Sequence, residues 1–202
     1  MDTILAAFIA SAIGQMEVLI YNLRNFDKLS KDLPLPKGLD MEDTRHRIML
    51  SQCIKHHSSI IRYVSMIEEA FSLASALQFM LSAMVLCLVG VQFLSIENPA
   101  GHPMQIMWMA IYLTCMLIEV FILCWFGNEL VWKSHELRQA AFDSPWIGLK
   151  PKTRKYVILF MERCKRPLRV TAGKIFTLSL ETYTVLINWS YKAFAVMTNM
   201  KN

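Results

Sequence analysis

The chain has 202 residues, of which 54% are hydrophobic, with a mean hydropathy of +0.35 and a formal net charge of +5. Soluble domains average about 45–50% apolar residues, so this excess indicates segments that span a membrane. The positive charge fits a cytoplasmic face beside anionic lipid headgroups, and no basic stripe interleaved with aromatic residues suggests nucleic-acid binding. No phosphate loop, nucleophile elbow or carboxylate dyad is present, so we predict neither enzyme activity nor a cofactor.

The first 22 residues form the first predicted transmembrane helix, because 3–16 carry no charge and the apolar run continues beyond Glu17. This helix enters from the outside, since the basic residues that follow it are typical of the cytoplasmic side. The chain opens on Met1 and Asp2 rather than on a basic segment, and no small-residue cleavage site follows, so we predict no signal peptide.

Two basic stretches set the topology. They hold 19 of the 21 Lys and Arg residues and lie at 23–70 and 133–174. Between them, the apolar segments 71–96 and 104–132 are each long enough to cross a bilayer. Basic loops stay in the cytoplasm, so both basic stretches face inward and the turn at 97–103 is extracellular.

The cytoplasmic stretch 23–70 divides into a loop and a helix. Residues 27–43 contain Pro34, Pro36 and Gly38, which predicts a loop. From Arg45 the apolar residues return at helical spacing, and we predict that this helix continues directly into the span at 71–96.

The next span, 104–132, has aromatic residues at both ends. Trp108 lies near its outer end, and Trp125 and Trp132 lie near its inner end, as expected at membrane interfaces. A turn at 140–150 and a short amphipathic helix at 152–166 follow it. The apolar face of that helix requires a partner helix or the membrane surface.

The five cysteines are odd in number and lie only in predicted spans and cytoplasmic stretches, which argues against a disulfide framework. Cys53, His56 and His57 are close in sequence, but no fourth ligand is evident, so we predict no metal site.

The last predicted span, 175–197, starts in the cytoplasm and leaves 198–202 as an extracellular tail. At 100° per residue, a narrow polar stripe runs along this helix. Its members are Thr177, Glu181, Thr184, Asn188 and Tyr191. A charged side chain in a span should meet water or a partner rather than lipid.

Two interpretations of the stripe remain open from the residues alone. The stripe is either the seam of a helix bundle or, with several copies of the helix, the lining of a wet pore in which Glu181 favours cations. Ser179 and Ser190 lie on the opposite face, so that face is not purely apolar.

Several motifs together resemble those of insect odorant receptors. The sequence AGKIFTLSLETYTVL at 172–186, followed by SYKAF at 190–194, resembles their C-terminal signature. CIKHH at 53–57 resembles the approach to their fifth span, and KRPL at 165–168 resembles the loop before their last span. Their order and spacing cover nearly the whole chain, which corresponds to spans four to seven of a seven-span receptor.

The resemblance implies an all-α membrane protein with four transmembrane helices and cytoplasmic helical extensions, the C-terminal half of such a receptor. Members of this family form tetrameric, odorant-gated cation channels in which an odorant-tuned subunit joins a co-receptor. The last span lines the pore, and 133–174 would belong to a cytoplasmic anchor region. The implied partners are a small volatile odorant, the co-receptor and membrane lipids. The implied location is the plasma membrane of olfactory sensory neurons.

The resemblance also suggests site residues. Odorants of this family bind in the outer half of the subunit, where Phe8, Trp108 and Tyr112 are candidate contacts. The alternative is that these aromatic residues are ordinary interface anchors and core packing. Ligand binding would move the last helix and widen a constriction near Val185 and Leu186. The alternatives are a gustatory receptor of the same superfamily and a truncated, non-conducting membrane fragment.

Overall fold

The computed structural model describes residues 2–31, 41–94 and 103–201, and it is almost entirely helical. The helices are α1 (Asp2–Arg24), α2 (Phe26–Lys31), α3 (Met41–Leu94), α4 (Pro103–Asp143), α5 (Pro151–Cys164) and α6 (Leu180–Lys201). A 3₁₀ turn at Trp146–Gly148 precedes α5, and two short strands, β1 (Thr171–Ala172) and β2 (Phe176–Thr177), precede α6.

Proline placement sets the lengths of the two longest helices. Helix α3 has 54 residues and no proline, so the predicted continuity between the cytoplasmic helix and the span is confirmed. Helix α4 begins with Pro103 in its first turn, where the missing N–H costs nothing, and ends two residues before Pro145. The extracellular turn predicted at 97–103 lies outside the described residues, apart from Pro103.

Three helices are long and apolar enough to cross a membrane: α1, α3 over Asp43–Gln92, and α4. Over its described residues, α6 does not reach the same apolarity, although its 22 residues are long enough for a bilayer. A polar stripe lowers the apolarity of a helix, so the crossing of the membrane by α6 stays a prediction.

The chain forms two compact units. The first unit contains Met1–Ala6, Glu68–Asn128 and Val170–Asn202, and the second contains Ala7–Ile67 and Glu129–Arg169. The divisions after Ile67, Asn128 and Arg169 lie close to the membrane boundaries that the sequence predicts at 70, 132 and 174.

In the second unit, α5 packs its apolar face against α3. Val157, Phe160 and Cys164 are buried, and the Phe160 ring meets His57 edge to face with 5.3 Å between the ring centroids. The Thr153 hydroxyl donates a hydrogen bond to Asp43 at 3.0 Å. The partner that the amphipathic helix requires is therefore another helix of the same unit.

Charged side chains connect α1 to α4 in the second unit. The Lys133 ammonium lies 2.9 Å from Glu17 and 3.1 Å from Glu136, and the Arg24 guanidinium donates to Glu136 at 3.0 Å. Glu17, which the sequence places near the inner end of the first span, thus has a cationic partner. A paired charge of this kind costs less to hold near a membrane than an isolated one.

The first unit contains a β-hairpin that the sequence analysis did not predict. Thr171 pairs with Thr177, and Ala172 pairs with Phe176. Gly173 and Lys174 both have positive φ angles, of 63° and 59°. These two left-handed residues turn the chain so that Phe176 and Thr177 are extended in β2, and the predicted start of the last helix at residue 175 is therefore wrong. The helix begins at Leu180.

The hairpin is held against α3 and α4. Gly173 N–H donates to the Ser72 carbonyl at 2.9 Å, and the Thr171 hydroxyl donates to the Glu68 carboxylate. Leu178 is fully buried beside Gly127, where an added Cβ would lie 2.3 Å from the Leu178 carbonyl oxygen. Only glycine allows this close approach of two backbones.

Three further boundaries differ from the predictions. Of the predicted loop 27–43, residues 27–31 belong to α2 and 41–43 to α3, and 32–40 lie outside the described residues. In α2, Phe26 and Ser30 are buried, and the Ser30 hydroxyl donates to the Asp27 carbonyl at 2.9 Å. The turn predicted from residue 140 begins only after Asp143, since Ala140 and Ala141 are buried. The predicted tail at 198–202 continues α6 as far as Lys201.

Candidate functional site

Helix α6 presents two different faces. Glu181, Thr184, Asn188 and Tyr191 are exposed, and they form one polar strip along the helix. Thr182, Tyr183, Leu186 and Ser190 lie on the other side and are half-buried within the first unit. Four of the five residues of the predicted stripe therefore share a surface that the described residues leave exposed.

Thr177 is separate from that strip. It belongs to β2, three residues before α6 begins, and its backbone carbonyl accepts a hydrogen bond of 2.6 Å from the Thr182 hydroxyl. The helical spacing that joined Thr177 to Glu181 in the sequence does not exist in the structure, because no helix connects them.

The start of α6 is fixed by capping. The Ser179 hydroxyl accepts a hydrogen bond from the Thr182 backbone N–H at 3.3 Å, which satisfies one of the free donors of the first turn. Glu181 lies in that same turn. Glu181 is therefore near one end of the helix rather than at its centre. The helix dipole stabilises an acidic side chain in the first turn.

The two serines on the opposite face are also explained by local bonds. Ser179 caps the helix, and the Ser190 hydroxyl donates to the Leu186 carbonyl at 2.9 Å. Neither needs a second polar surface on α6.

The two gate candidates differ in exposure but line the same cavity within the first unit. Val185 is 46% exposed and lies beside the polar strip, whereas Leu186, 100° further around the helix, is half-buried. An aromatic contact connects α6 to α4: the Tyr183 ring meets the Phe121 ring edge to face, with 5.4 Å between the ring centroids. Within α4, the Phe121 centroid lies 5.8 Å from that of Trp125.

The larger cavity beside α6 has a volume of about 430 Å³, within the usual range of small-molecule sites. It lies between α3, α4 and α6 and is almost entirely apolar. The lining residues are Leu86, Val89 and Gly90 of α3; Ile106, Met109, Ala110, Leu113 and Leu117 of α4; and Ile187, Ser190 and Tyr191 of α6.

A second, smaller cavity of about 260 Å³ lies on another side of α6. Phe79, Met80 and Ala83 of α3 line it, together with Phe176 of the hairpin. The α6 residues that close it are Thr182, Val185, Leu186 and Trp189.

The predicted odorant contacts do not line these cavities. Trp108 and Tyr112 share a face of α4, as their spacing predicts, and both are exposed. The larger cavity uses the opposite face of α4, around Met109 and Leu113. Phe8 is 40% exposed and belongs to the second unit.

The sequence analysis did not predict the larger cavity, because residues of three different helices line it. The available signal was the small residues Gly90 and Ala110 among large apolar neighbours, both of which line the cavity. Among the described residues, no group of three or more His, Cys, Asp or Glu side chains is arranged to hold a metal ion.

Together these features define a multi-pass helical membrane protein whose last helix has a polar outer strip and an apolar cavity behind it. The chain belongs to the odorant receptor family: the family described as 7tm Odorant receptor matches residues 1–191. The assignment favours the odorant interpretation over the gustatory one.

Individual relatives agree with this assignment. Odorant receptor 67a of Drosophila melanogaster is 29% identical over 98% of this chain and 46% of its own length. Odorant receptor 2a of the same species is 27% identical over 99% of this chain and 50% of its own length. The chain thus spans about half the length of the relatives it matches.

Solved structures show the same fold. The insect olfactory receptor OR5 from Machilis hrabei, in complex with eugenol, superimposes with a TM-score of 0.80 at 16% identity. The match covers 98% of this chain and 47% of that receptor.

Proposed function

We propose that this chain is a subunit of an odorant-gated, non-selective cation channel that acts in olfactory signal transduction. It would assemble with a co-receptor into a heterotetramer in the plasma membrane of olfactory sensory neurons, with its C-terminus extracellular. Family membership supports a receptor role, and the coverage of about half the relatives' length leaves the complete activity to experiment.

The observation that carries the proposal is the exposed polar strip of α6. Within a bilayer, polar side chains are costly unless they meet water or polar partners. Because Glu181, Thr184 and Asn188 are exposed among the described residues, copies of α6 around a central axis would satisfy them with a column of water.

The positions along α6 suggest distinct roles. Glu181, in the first turn and next to the basic cytoplasmic stretch, would attract cations to the inner mouth. Val185 would provide the hydrophobic constriction, since it borders the strip. Leu186, the more buried of the two, would transmit movement from the smaller cavity that both residues line. Phe8, Trp108 and Tyr112 remain proposed odorant contacts.

Whole-cell recording tests the proposal. The chain is co-expressed with the co-receptor and challenged with a broad odorant panel, and surface labelling controls for expression. An odorant-evoked cation current absent from the co-receptor alone would support it. Surface-expressed protein without current to any odorant would contradict it and favour the alternative of a non-conducting fragment.

The charge of Glu181 provides a second readout. In a working channel, Glu181→Gln should alter cation permeability or block, whereas the matched change Glu162→Gln on α5 should not. Unchanged permeation in Glu181→Gln would remove Glu181 from the pathway.

A further inference from the structure

Two cationic side chains and a hydroxyl form a ridge on the part of α3 that is predicted to be cytoplasmic. Arg47, Ser51 and Lys55 follow one another at intervals of four residues, so they share one face of the helix. All three are exposed and belong to the second unit. We call these three residues the Arg47 ridge.

A cavity lies on each side of the Arg47 ridge, and all three ridge residues line both cavities. One cavity, of about 430 Å³, reaches Tyr156 of α5 and has Leu50 and Ile54 as its apolar wall. The other has a volume of about 550 Å³, and both volumes suit a small molecule. Its further lining residues are Thr44, Ile48 and Gln52 of α3.

The polar groups around the Arg47 ridge favour an anion. The guanidinium of Arg47 and the ammonium of Lys55 are hydrogen-bond donors only, and the hydroxyls of Ser51 and Tyr156 can also donate. Among the described residues, none of these four side chains has a hydrogen-bond or ion-pair partner, and neither cavity is lined by a carboxylate. Asp43, one turn before Arg47, instead accepts a hydrogen bond from another residue, the Thr153 hydroxyl.

The spacing of the two cations limits the kind of anion. At 1.5 Å per residue, Arg47 and Lys55 are about 12 Å apart along the helix, with Ser51 midway. A single phosphate group beside one cation leaves the other unpaired, whereas a molecule with several phosphates contacts both. Arginine can hold a phosphate through two parallel N–H bonds, and lysine holds it as a point charge.

Distance from the membrane separates two sources of such phosphates. The predicted span of α3 starts at residue 71, which places Lys55 about 24 Å and Arg47 about 36 Å from it along the helix. The headgroup layer of a bilayer is only about 5–8 Å thick on each side. A lipid headgroup therefore does not reach the Arg47 ridge, and a soluble molecule does.

We propose that the Arg47 ridge and Tyr156 bind a soluble small molecule that carries several phosphate groups, such as an inositol polyphosphate. Its phosphates contact Arg47, Ser51 and Lys55, and one of them accepts from the Tyr156 hydroxyl. Since Tyr156 belongs to α5, the bound ligand connects α5 to α3 and stabilises the second unit. The site includes no residue of α6 and does not depend on the proposed channel function.

Lysine footprinting of the purified chain in nanodiscs of neutral lipid tests the site. Inositol hexakisphosphate is the soluble probe, at about 150 mM salt, and mass spectrometry measures the acetylation of each lysine. Lys28 of α2 is exposed and outside the ridge, so it is the internal control. A second set of nanodiscs contains phosphatidylinositol bisphosphate without the soluble probe, which tests the lipid source.

We expect the soluble probe to protect Lys55 from acetylation and to leave Lys28 unchanged. In Arg47→Gln the apparent Kd of the probe should rise about tenfold or more, as expected for the loss of hydrogen bonds to a charged group. The matched change Arg154→Gln removes the same charge from an exposed position of α5, 200° around the helix from Tyr156, and should leave the Kd unchanged.

Three results would overturn the proposal. Equal acetylation of Lys55 with and without the probe would show that no ligand covers the ridge. An equal rise in Kd for Arg47→Gln and Arg154→Gln would indicate attraction to net charge alone. Protection of Lys55 by the phosphoinositide nanodiscs would assign the ridge to a lipid headgroup. Because these measurements need no current, a silent channel that still protects Lys55 would refute only the proposed channel function.

Discussion

The first unit of the chain exposes more of its large apolar side chains than the second unit does. In the second unit, α5 and the adjacent part of α3 bury their apolar faces against each other. In the first unit, large apolar side chains such as Leu73, Met80 and Leu88 are more than 60% exposed. Only 17% of the most apolar window of α3 and 11% of that of α4 are buried, against 44% for α1.

This difference shows that hydrophobicity alone does not predict a protein core. An exposed apolar surface of such extent marks contact with lipid or with another protein. The strip of α6 differs from this apolar surface, because its exposed side chains are polar although the neighbouring exposed side chains of the first unit are apolar. Both features of the first unit follow if its exterior is lipid on most sides and water along α6.

Thiol labelling in lipid nanodiscs tests directly whether the first unit faces lipid and the second unit faces water. Ser58→Cys on the second unit and Leu77→Cys on the first unit are both exposed positions of α3. We expect a charged thiol reagent to modify Ser58→Cys readily and to leave Leu77→Cys unmodified until the protein is denatured, because lipid excludes the reagent.

The native cysteines of the second unit should contribute little labelling to that experiment. Burial raises the pKa of Cys53 to about 11 and that of Cys164 to about 12, so these thiols carry little reactive thiolate. Equal modification of both introduced cysteines in the folded protein would show that water surrounds both units.

The hairpin of the first unit offers the largest expected loss of stability. In Gly127→Ala, the new methyl group would lie 2.3 Å from the Leu178 carbonyl oxygen, and backbone must shift to admit it. Forced overpacking of this kind costs about 1–3 kcal/mol or more. Thermal unfolding in detergent measures the effect.

The control is the same substitution elsewhere in a helix. At Gly14 of α1 nothing lies within 4 Å of an added Cβ, so Gly14→Ala should leave stability unchanged or raise it by up to about 1 kcal/mol. If Gly127→Ala is as stable as Gly14→Ala, the tight contact between α4 and the hairpin does not exist.

In the second unit, His57 should make stability depend on pH. Burial, and then the neighbouring Arg163 and His56, lower the pKa of His57 to about 4. The unfolded chain binds this proton near pH 6.5, whereas the folded chain stays neutral until about pH 4. The stability present above pH 6.5 is therefore lost as the pH falls toward 4, by about 2–3 kcal/mol at most.

Chemical denaturation at a series of pH values measures this slope. His57→Phe keeps an aromatic ring against Phe160 but cannot titrate, so the variant should lose that part of the pH dependence. An identical slope in the variant would assign the effect to other groups.

Much of the fold could be predicted from the sequence because hydropathy and charge act over long windows. The long apolar runs predicted α1, α3 and α4, and the ends of the basic stretches lie close to three of the four chain positions that divide the units, the exception being Ala6. Features that depend on a few residues were not predicted. A two-residue turn at Gly173 and Lys174 redirects the backbone, and this removed Thr177 from the helix and placed Glu181 in its first turn.

Part of the candidate site could also be predicted from the sequence. Spacing along one helix identified Glu181, Thr184, Asn188 and Tyr191, since helical periodicity is a local property. The cavity could not be predicted from the sequence, because it depends on how three helices pack around Ala110 and Ser190. Burial of His57 likewise arises only when α5 folds against α3.

The most direct test of the central claim is cysteine accessibility along α6 during whole-cell recording, in the chain co-expressed with the co-receptor. Thr184→Cys and Asn188→Cys lie on the strip, whereas Tyr183→Cys and Leu186→Cys lie on the packed side. The account predicts that a charged thiol reagent blocks or alters the odorant-evoked current only for the first pair. Block through the second pair alone, or modification without change in current for all four, would show that this face of α6 does not line the ion pathway.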